Sequence, residues 1–319
     1  MNNPRSLPYT VRTVLVAGIS VLIASCGGGS SGSTDSTLDG SNQSLTTIPS
    51  SATTGSTPTT STPTTSTPTT STPTTSTPTT STPPTSTPTT VAGPTGQDAS
   101  LYTLAFDEEF DSYNANLWND HIWYESSNAT KNYTVENGVL KIWPQKDASG
   151  NFFNRAIDTD GKYYQTYGYF EMEAKLPVGK GTWPAFWLYN HDQAAHPEID
   201  IMEAYAGGVS PWGDNNDHPT AYGTTAWPNG GDAGSYFKQN MTPDLSAGFH
   251  KYGMKWEPNK LTFYFDGNQV YTVSATMPSR MYILLDLWYG SASGTPDSTT
   301  PTGKTNSYEV NYVRAWKFK

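Results

Sequence analysis

The sequence is poor in cysteine, in basic residues and in long apolar segments, and each deficit narrows the possible functions. A single cysteine, Cys26, excludes an intramolecular disulfide. Lys and Arg number 18 against 28 Asp and Glu, and the resulting net charge of −10 disfavours nucleic acid or an anionic membrane surface as a partner. No Gly-rich phosphate loop, Ser/His/Asp arrangement or Cys/His cluster is visible, and the five His lack metal-ligand spacings. The residues themselves therefore predict neither a metal nor a cofactor.

Residues 1–26 have the organisation of an export signal. Arg5 and Arg12 precede an apolar stretch, 14–23, that is too short to span a bilayer comfortably. The stretch leads into Ile-Ala-Ser-Cys, which resembles the lipobox of bacterial lipoproteins, where the cysteine is diacylated after cleavage. We therefore expect an exported protein that is attached to a lipid bilayer through Cys26, at the outer membrane or cell surface. An ordinary signal peptide with a nearby cysteine is the alternative.

Residues 27–97 contain almost only Ser, Thr, Pro and Gly, and a Ser-Thr-Pro-Thr-Thr unit repeats over 56–90. A five-residue unit without apolar side chains has nothing to bury, so we predict a disordered linker with polyproline II character. At about 3 Å per residue, the repeats could extend over roughly 100 Å.

The composition changes near residue 98, and 98–319 is rich in aromatic residues and in Gly, Pro and Asn turns. Helical periodicity is hard to find, whereas short strand-like segments recur between turn signals. Many antiparallel strands without helices predict an all-β sandwich or barrel formed by one domain. The strand-like segments are 139–143, 167–176, 185–188, 198–203, 250–256, 261–265, 270–273, 282–287 and 308–318.

Three carboxylates occur within six residues, Glu198-Ile-Asp200-Ile-Met-Glu203. The interleaved Ile and Met predict a strand with one face in a core and the other carrying acids. Because alternate residues of a regular strand share a face, Glu203 would point away from Glu198 and Asp200. One additional residue, a β-bulge, would return Glu203 to their face. The alternative is a solvated acidic edge.

Carboxylates that share one face repel each other, so at least one should have a raised pKa. One ionised and one protonated carboxyl group are the equipment of glycoside hydrolysis, and neighbouring positions on one strand favour the short separation of a retaining enzyme. The strand therefore predicts a polysaccharide as substrate.

The strand resembles the E-x-D-x-x-E signature of glycoside hydrolase family 16, in the bulged form of laminarinases, agarases and carrageenases. Other segments resemble that family in the family's order: 154–161 with 167–177, Gly181-Thr-Trp-Pro-Ala-Phe-Trp-Leu, 249–256, 263–267 and 308–318. The resemblance implies a β-jelly roll of two curved antiparallel sheets. It also implies that Glu198 is the nucleophile, Glu203 the general acid/base and Asp200 a helper. Trp183 would be a sugar-stacking platform, and Trp187 would belong to the core.

The sequence departs from the family around the signature. His196-Pro197 stands where many laminarinases have Trp, and His196 is expected either to contact sugar or to be a partly exposed strand residue. Trp212, Trp227 and Trp288 are candidates for lining the cleft, with core or rim packing as the alternative. Asn311 stands where relatives often have Asp, near a frequent calcium site, so the resemblance allows a structural calcium ion without requiring one.

The resemblance implies an endo-acting hydrolase, with a β-1,3 or mixed β-1,3-1,4 glucan as the expected substrate. The departures keep open a galactan or bacterial exopolysaccharide, and the same covalent intermediate would serve a transglycosylase. A carbohydrate-binding module without activity is the alternative from another class. We expect a monomer.

Overall fold

The computed structural model describes residues 93–208, 216–230 and 236–319. The predicted export signal, Cys26, nearly all of the predicted linker and Trp212 lie outside these ranges. Within them, no helix combines the length and apolarity that crossing a membrane requires.

Fourteen strands form the described part of the chain, with only two short 3₁₀ turns, Ala99–Leu101 and Ser291–Ser293. They pair into two antiparallel sheets, which confirms the all-β sandwich. The first sheet contains β1 (Tyr102–Glu108), β2 (Tyr133–Glu136), β3 (Val139–Ile142), β5 (Gly168–Lys175), β10 (His250–Glu257), β11 (Lys260–Phe265), β12 (Asn268–Val273) and β14 (Tyr308–Phe318). The second contains β4 (Arg155–Asp158), β6 (Thr182–Tyr189), β7 (Glu198–Glu203), β8 (Ala221–Trp227), β9 (Tyr236–Met241) and β13 (Tyr282–Tyr289).

Strand order places β7 inside the second sheet. That order is β4-β13-β6-β7-β8-β9, so β7 has β6 and β8 as neighbours and no open edge. The first sheet runs β12-β11-β10-β5-β14-β3-β2, and β1 also pairs with β14. An interior strand is held by hydrogen bonds on both sides, so its side chains have well-defined positions.

The core lies between the two sheets and follows the two-residue alternation of β-strands. In β6, Phe186 and Leu188 point into the core, and in β13 Ile283, Leu285 and Leu287 do so. All five are fully buried. Burying each such side chain contributes about 1.5–3 kcal/mol. The intervening residues of these strands form the opposite face of the second sheet, which carries the acids described below.

Contacts of the folded domain begin before residue 98. The backbone N–H and the hydroxyl of Thr95 donate to the Glu171 carboxylate at 3.1 and 3.0 Å. Tyr312 donates to the same carboxylate at 2.9 Å. These bonds compensate the burial of Glu171. The domain therefore uses a few residues that composition alone assigns to the linker.

Candidate active site

β7 contains the predicted bulge. Asp200 pairs with Thr225 of β8, but Glu203 pairs with Gly223, so three steps along β7 match two steps along β8. Pairing with β6 shows the same shift, since Trp187 opposes Asp200 and Phe186 opposes Met202. The extra residue turns Ile201 and Met202 both into the core, where each is at most 1% exposed. Glu198, Asp200 and Glu203 therefore share the opposite face, which we call the cleft face.

Burial raises the pKa of all three carboxyl groups, and the charges of neighbouring acids raise those of Glu198 and Asp200 further. For Glu198 the larger cause is burial and the smaller is the charge of Glu203. Asp200 is 2% exposed, and burial followed by the charges of Glu203 and Glu198 holds its pKa well above the ordinary range. Burial also raises the pKa of Glu203. The free site therefore retains protons at neutral pH.

Two of the three carboxyl groups each accept a hydrogen bond from a tryptophan N–H. Trp183 Nε1 donates to Glu203 Oε1 at 3.0 Å, and Trp227 Nε1 donates to Asp200 Oδ2 at 3.1 Å. Each bond lowers the pKa of its acceptor and thus opposes part of the burial effect. A hydrogen bond to a charged group contributes about 1.5–3 kcal/mol. Neither indole donates to Glu198.

The four predicted sugar-binding residues all lie around these acids. Trp183 is 7% exposed, and its ring packs against Trp288 with centroids 5.6 Å apart. Its observed role is therefore to hold Glu203, and stacking against sugar stays a prediction. Trp227 and Trp288 are partly buried, so each leaves some surface open to the cleft.

His196 lies at the cleft end nearest Glu198. Its side chain is exposed, and its ring is stacked at 18° on Tyr189, whose partner in the sheet is Glu198. The backbone of His196 has φ 44°, a left-handed conformation that costs a non-glycine residue free energy. This strain immediately before β7 is consistent with the predicted contact to sugar.

Trp187 is buried in an apolar cluster, as predicted, and this cluster lies on the cleft face of the second sheet rather than in the core between the two sheets. Its neighbours Phe186 and Leu188 point into that core, so alternation turns Trp187 to the cleft face. There its Nε1 donates to Asp286 Oδ2 at 2.7 Å. The indole is therefore part of the cleft floor.

Two polar residues of the site have no assigned role in the sequence prediction. Tyr205 donates a hydrogen bond to Glu203 and packs against Trp183, with ring centroids 5.6 Å apart. Asp286 in β13 is 2% exposed, and burial holds its pKa well above the ordinary range. Asp286 pairs with Ala185 of β6, and Ala185 pairs with Glu203 of β7. A fourth acid therefore lies on the cleft face, two strands from Glu203.

The described residues give no support to a metal site. None of their His, Cys, Asp and Glu side chains form a group of three or more suited to a metal ion. Asn311, the position considered for calcium, donates to Glu173 Oε2 at 2.9 Å.

Paired carboxyl groups with raised pKa values, on an interior strand and surrounded by indoles, define a glycoside-hydrolysing class of site. The family comparison agrees with the geometry. The model of glycosyl hydrolases family 16 matches residues 119–314, and the chain belongs to this family.

Two curated relatives named as endo-1,3-1,4-beta-glycanases are similar to more than half of this chain. Endo-1,3-1,4-beta-glycanase ExsH of Rhizobium meliloti (strain 1021) is 30% identical over 203 residues, which are 60% of this chain and 41% of the relative. Endo-1,3-1,4-beta-glycanase EglC of the same organism is 27% identical over 69% of this chain and 52% of the relative. The chain thus spans about half the length of these relatives.

Among solved structures, the catalytic domain of an endo-1,3-beta-glucanase (laminarinase) from Thermotoga petrophila RKU-1 is similar, with a TM-score of 0.56 and 26% identity. The similarity covers 68% of this chain and 98% of that domain.

Proposed function

We propose that this protein is an endo-acting, retaining glycoside hydrolase whose substrate is a β-1,3 or mixed β-1,3-1,4 glucan. The observation that carries the proposal is the bulge in β7, which brings Glu198, Asp200 and Glu203 to one face of the cleft. The substrate is supported by the similar proteins, which are two endo-1,3-1,4-beta-glycanases and the catalytic domain of a laminarinase.

The proposed reaction has two displacements at the anomeric carbon. In the first, the Glu198 carboxylate forms a bond to this carbon while the glycosidic bond breaks, and Glu203 gives its proton to the departing oxygen. In the second, Glu203 takes a proton from water, whose oxygen displaces Glu198 and restores the free carboxylate. Asp200 lies between them along β7 and keeps a proton through its raised pKa, so it can donate a hydrogen bond to either neighbour.

The two glutamates differ in the hydrogen bonds that they accept in the free protein. Hydrogen bonds from Trp183 and Tyr205 stabilise ionised Glu203. The causes that set the pKa of Glu198 are burial and the charge of Glu203, and both favour its protonated form. Burial is the larger effect at Glu203 and favours its protonated form, which is the form that the first displacement requires.

The charge of the cleft favours a neutral substrate. None of the cleft-facing positions in the described strands of the second sheet is Lys or Arg, whereas Asp200, Asp286 and the two catalytic Glu lie there. A sulfated or carboxylated polysaccharide would find no cationic partner at these strand positions. This disfavours an anionic galactan or exopolysaccharide.

The test is a reducing-sugar assay of the full chain on laminarin, lichenan, agarose and carrageenan, with Glu198→Gln as the matched variant. We expect release of oligosaccharides from laminarin or lichenan by the wild type and none by Glu198→Gln, because an amide cannot form the glycosyl intermediate. Product anomers followed by NMR from the first minutes should retain the β configuration. Hydrolysis by Glu198→Gln at the wild-type rate would contradict the mechanism, and binding without hydrolysis by the wild type would indicate a carbohydrate-binding module.

We further propose that the chain is exported and anchored through acylated Cys26, as residues 1–26 predict. Cys26→Ser should move the protein from the membrane fraction to the soluble fraction without changing its activity per molecule. Retention of Cys26→Ser in the membrane fraction would contradict the anchor.

A further inference from the structure

We propose that Trp123 forms an additional sugar-binding subsite at the rim of the cleft, where its indole stacks on a pyranose ring of a neutral polysaccharide chain. The inference rests on the proposed function, because the ring would belong to the same chain that reaches Glu198. Trp123 is 45% exposed, and neither the signature strand nor the other predicted subsites include it.

Loop 119–132 holds Trp123 next to the cleft floor. The residue before it, Ile122, is 2% exposed and packs in one cluster with Ala156, Leu284 and Tyr282 on the cleft face. The buried guanidinium of Arg155 donates to three backbone carbonyls of this loop, those of residues 120, 128 and 130, at 2.7–3.2 Å. The loop is therefore fixed before any ligand binds, and a fixed platform loses little conformational freedom on binding.

One face of the Trp123 indole is already supported. His191 stacks on it with an interplanar angle of 14° and ring centroids 4.6 Å apart. The imidazole is held in turn by the Tyr282 hydroxyl, 3.3 Å from Nδ1, and by Asp160, 3.6 Å away. His191 covers one face of the ring, Tyr124 stands perpendicular to it at 87°, and 45% of Trp123 remains exposed. A flat, supported and exposed indole face is suited to the apolar C–H face of a pyranose.

The platform is continuous with the catalytic cleft. Tyr282 pairs with Tyr189 across β13 and β6, and Tyr189 pairs with Glu198 across β6 and β7. Tyr124 is the next residue of the loop. The pKa of its hydroxyl is raised first by burial, then by the charge of Glu125 and then by the charge of the cleft acid Asp286, so Tyr124 lies close enough to the cleft to interact with that acid. A polysaccharide that occupies the site at Glu198 can therefore continue over β6 and β13 to Trp123.

The charge around the platform indicates a neutral sugar. Asp160 and Asp192 both lie within ion-pair distance of His191, and Glu125 follows in the same loop. These carboxylates can accept hydrogen bonds from hydroxyl groups, but they would repel sulfate or uronate groups.

The experiment measures kcat/KM of the full chain on a ladder of β-1,3-1,4-gluco-oligosaccharides from the trisaccharide upward. Trp123→Ala should lower the ratio of kcat/KM on long to short members about five- to tenfold, because only long members reach the rim. Trp123→Phe should restore part of this ratio by keeping a ring. Phe318→Ala is the matched control, since Phe318 is an exposed aromatic at the end of β14 in the first sheet, and it should leave the ratio unchanged.

Binding provides a readout that does not depend on turnover. In native gels that contain lichenan or laminarin, Glu198→Gln should be retarded, and addition of Trp123→Ala should reduce the retardation. An unchanged ratio in Trp123→Ala, in a wild type that hydrolyses glucan, overturns the subsite and leaves the proposed function intact. Retardation that depends on Trp123, without hydrolysis by the wild type, supports the subsite and overturns the proposed function. Absence of both hydrolysis and retardation overturns both.

Discussion

The hydrogen bond from Trp183 to Glu203 offers a direct test of which carboxyl group is the acid. Trp183→Phe removes the N–H, which lies 3.0 Å from Glu203 Oε1, and keeps a ring between Tyr205 and Trp288. The bond favours the ionised form of Glu203, so its loss should raise the pKa of Glu203.

The size of the shift follows from the strength of the bond. A hydrogen bond to a charged group contributes about 1.5–3 kcal/mol, and 1.36 kcal/mol corresponds to about one pKa unit. Because Tyr205 still donates to Glu203 in the variant, we expect the lower end, about one unit. The assay is the pH dependence of kcat/KM on laminarin or lichenan, whose limbs report the acid and base of the free enzyme.

If Glu203 is the general acid, it must be protonated in the first step, so the alkaline limb of Trp183→Phe should move to higher pH while the acidic limb stays. A shift of the acidic limb instead would make Glu203 the nucleophile and exchange the two roles. A shift of neither limb would refute the claim that the indole tunes Glu203. Trp118→Phe is the matched control, because Trp118 Nε1 donates to Glu108 Oε2 at 2.8 Å in the core, and this variant should keep the wild-type profile.

Two further substitutions test the surroundings of the site. Arg155→Met leaves three backbone carbonyls of loop 119–132 without their hydrogen-bond donor. The free energy of unfolding, measured in urea, should therefore fall by about 3 kcal/mol. A change below about 1 kcal/mol would contradict the anchoring of this loop by Arg155. Asp286→Asn acts through pH: burial raises the pKa of folded Asp286, so folding binds a proton, and the wild type loses stability as pH rises above the unfolded pKa of about 3.9. The amide still accepts from Trp187 but does not titrate, so its Tm should exceed that of the wild type at neutral pH and converge with it in acid. Parallel Tm curves would show that Asp286 does not titrate differently on folding.

The acidic strand was predictable in detail because its signal is local. Large apolar residues between Glu198, Asp200 and Glu203 indicate one buried face, and only a bulge brings the three acids together. The register of β7 confirms this bulge. The all-β sandwich was likewise predictable from short alternating segments and the family resemblance.

The partners of the acids were not predictable, because they depend on pairing between distant strands. Trp187 and Asp286 are 99 residues apart in sequence and meet only through the register of β6 and β13. Local alternation does indicate the side of the sheet on which Trp187 lies. The side chains of Phe186 and Leu188 point into the core between the sheets, so the residue between them must face the cleft. Hydrophobicity correctly predicts that Trp187 is buried, and strand geometry decides that its cluster lies on the cleft face.

The cleft floor follows one pattern, in which an indole donates to a buried acid. The indole N–H of Trp183 donates to Glu203, that of Trp227 to Asp200 and that of Trp187 to Asp286. An indole suits this position because it offers one donor, no acceptor and a large apolar surface, so it satisfies a carboxyl oxygen while keeping the floor dry. Glu198 receives no bond from these three indoles, although it is the predicted nucleophile and must ionise. Protonated Asp200 is one donor that can stabilise the ionised form of Glu198, and the hydroxyl groups of a bound sugar are further donors of the required kind. On this argument, substrate binding itself favours ionised Glu198 and protonated Glu203, because two adjacent carboxyl groups that repel each other do not ionise together.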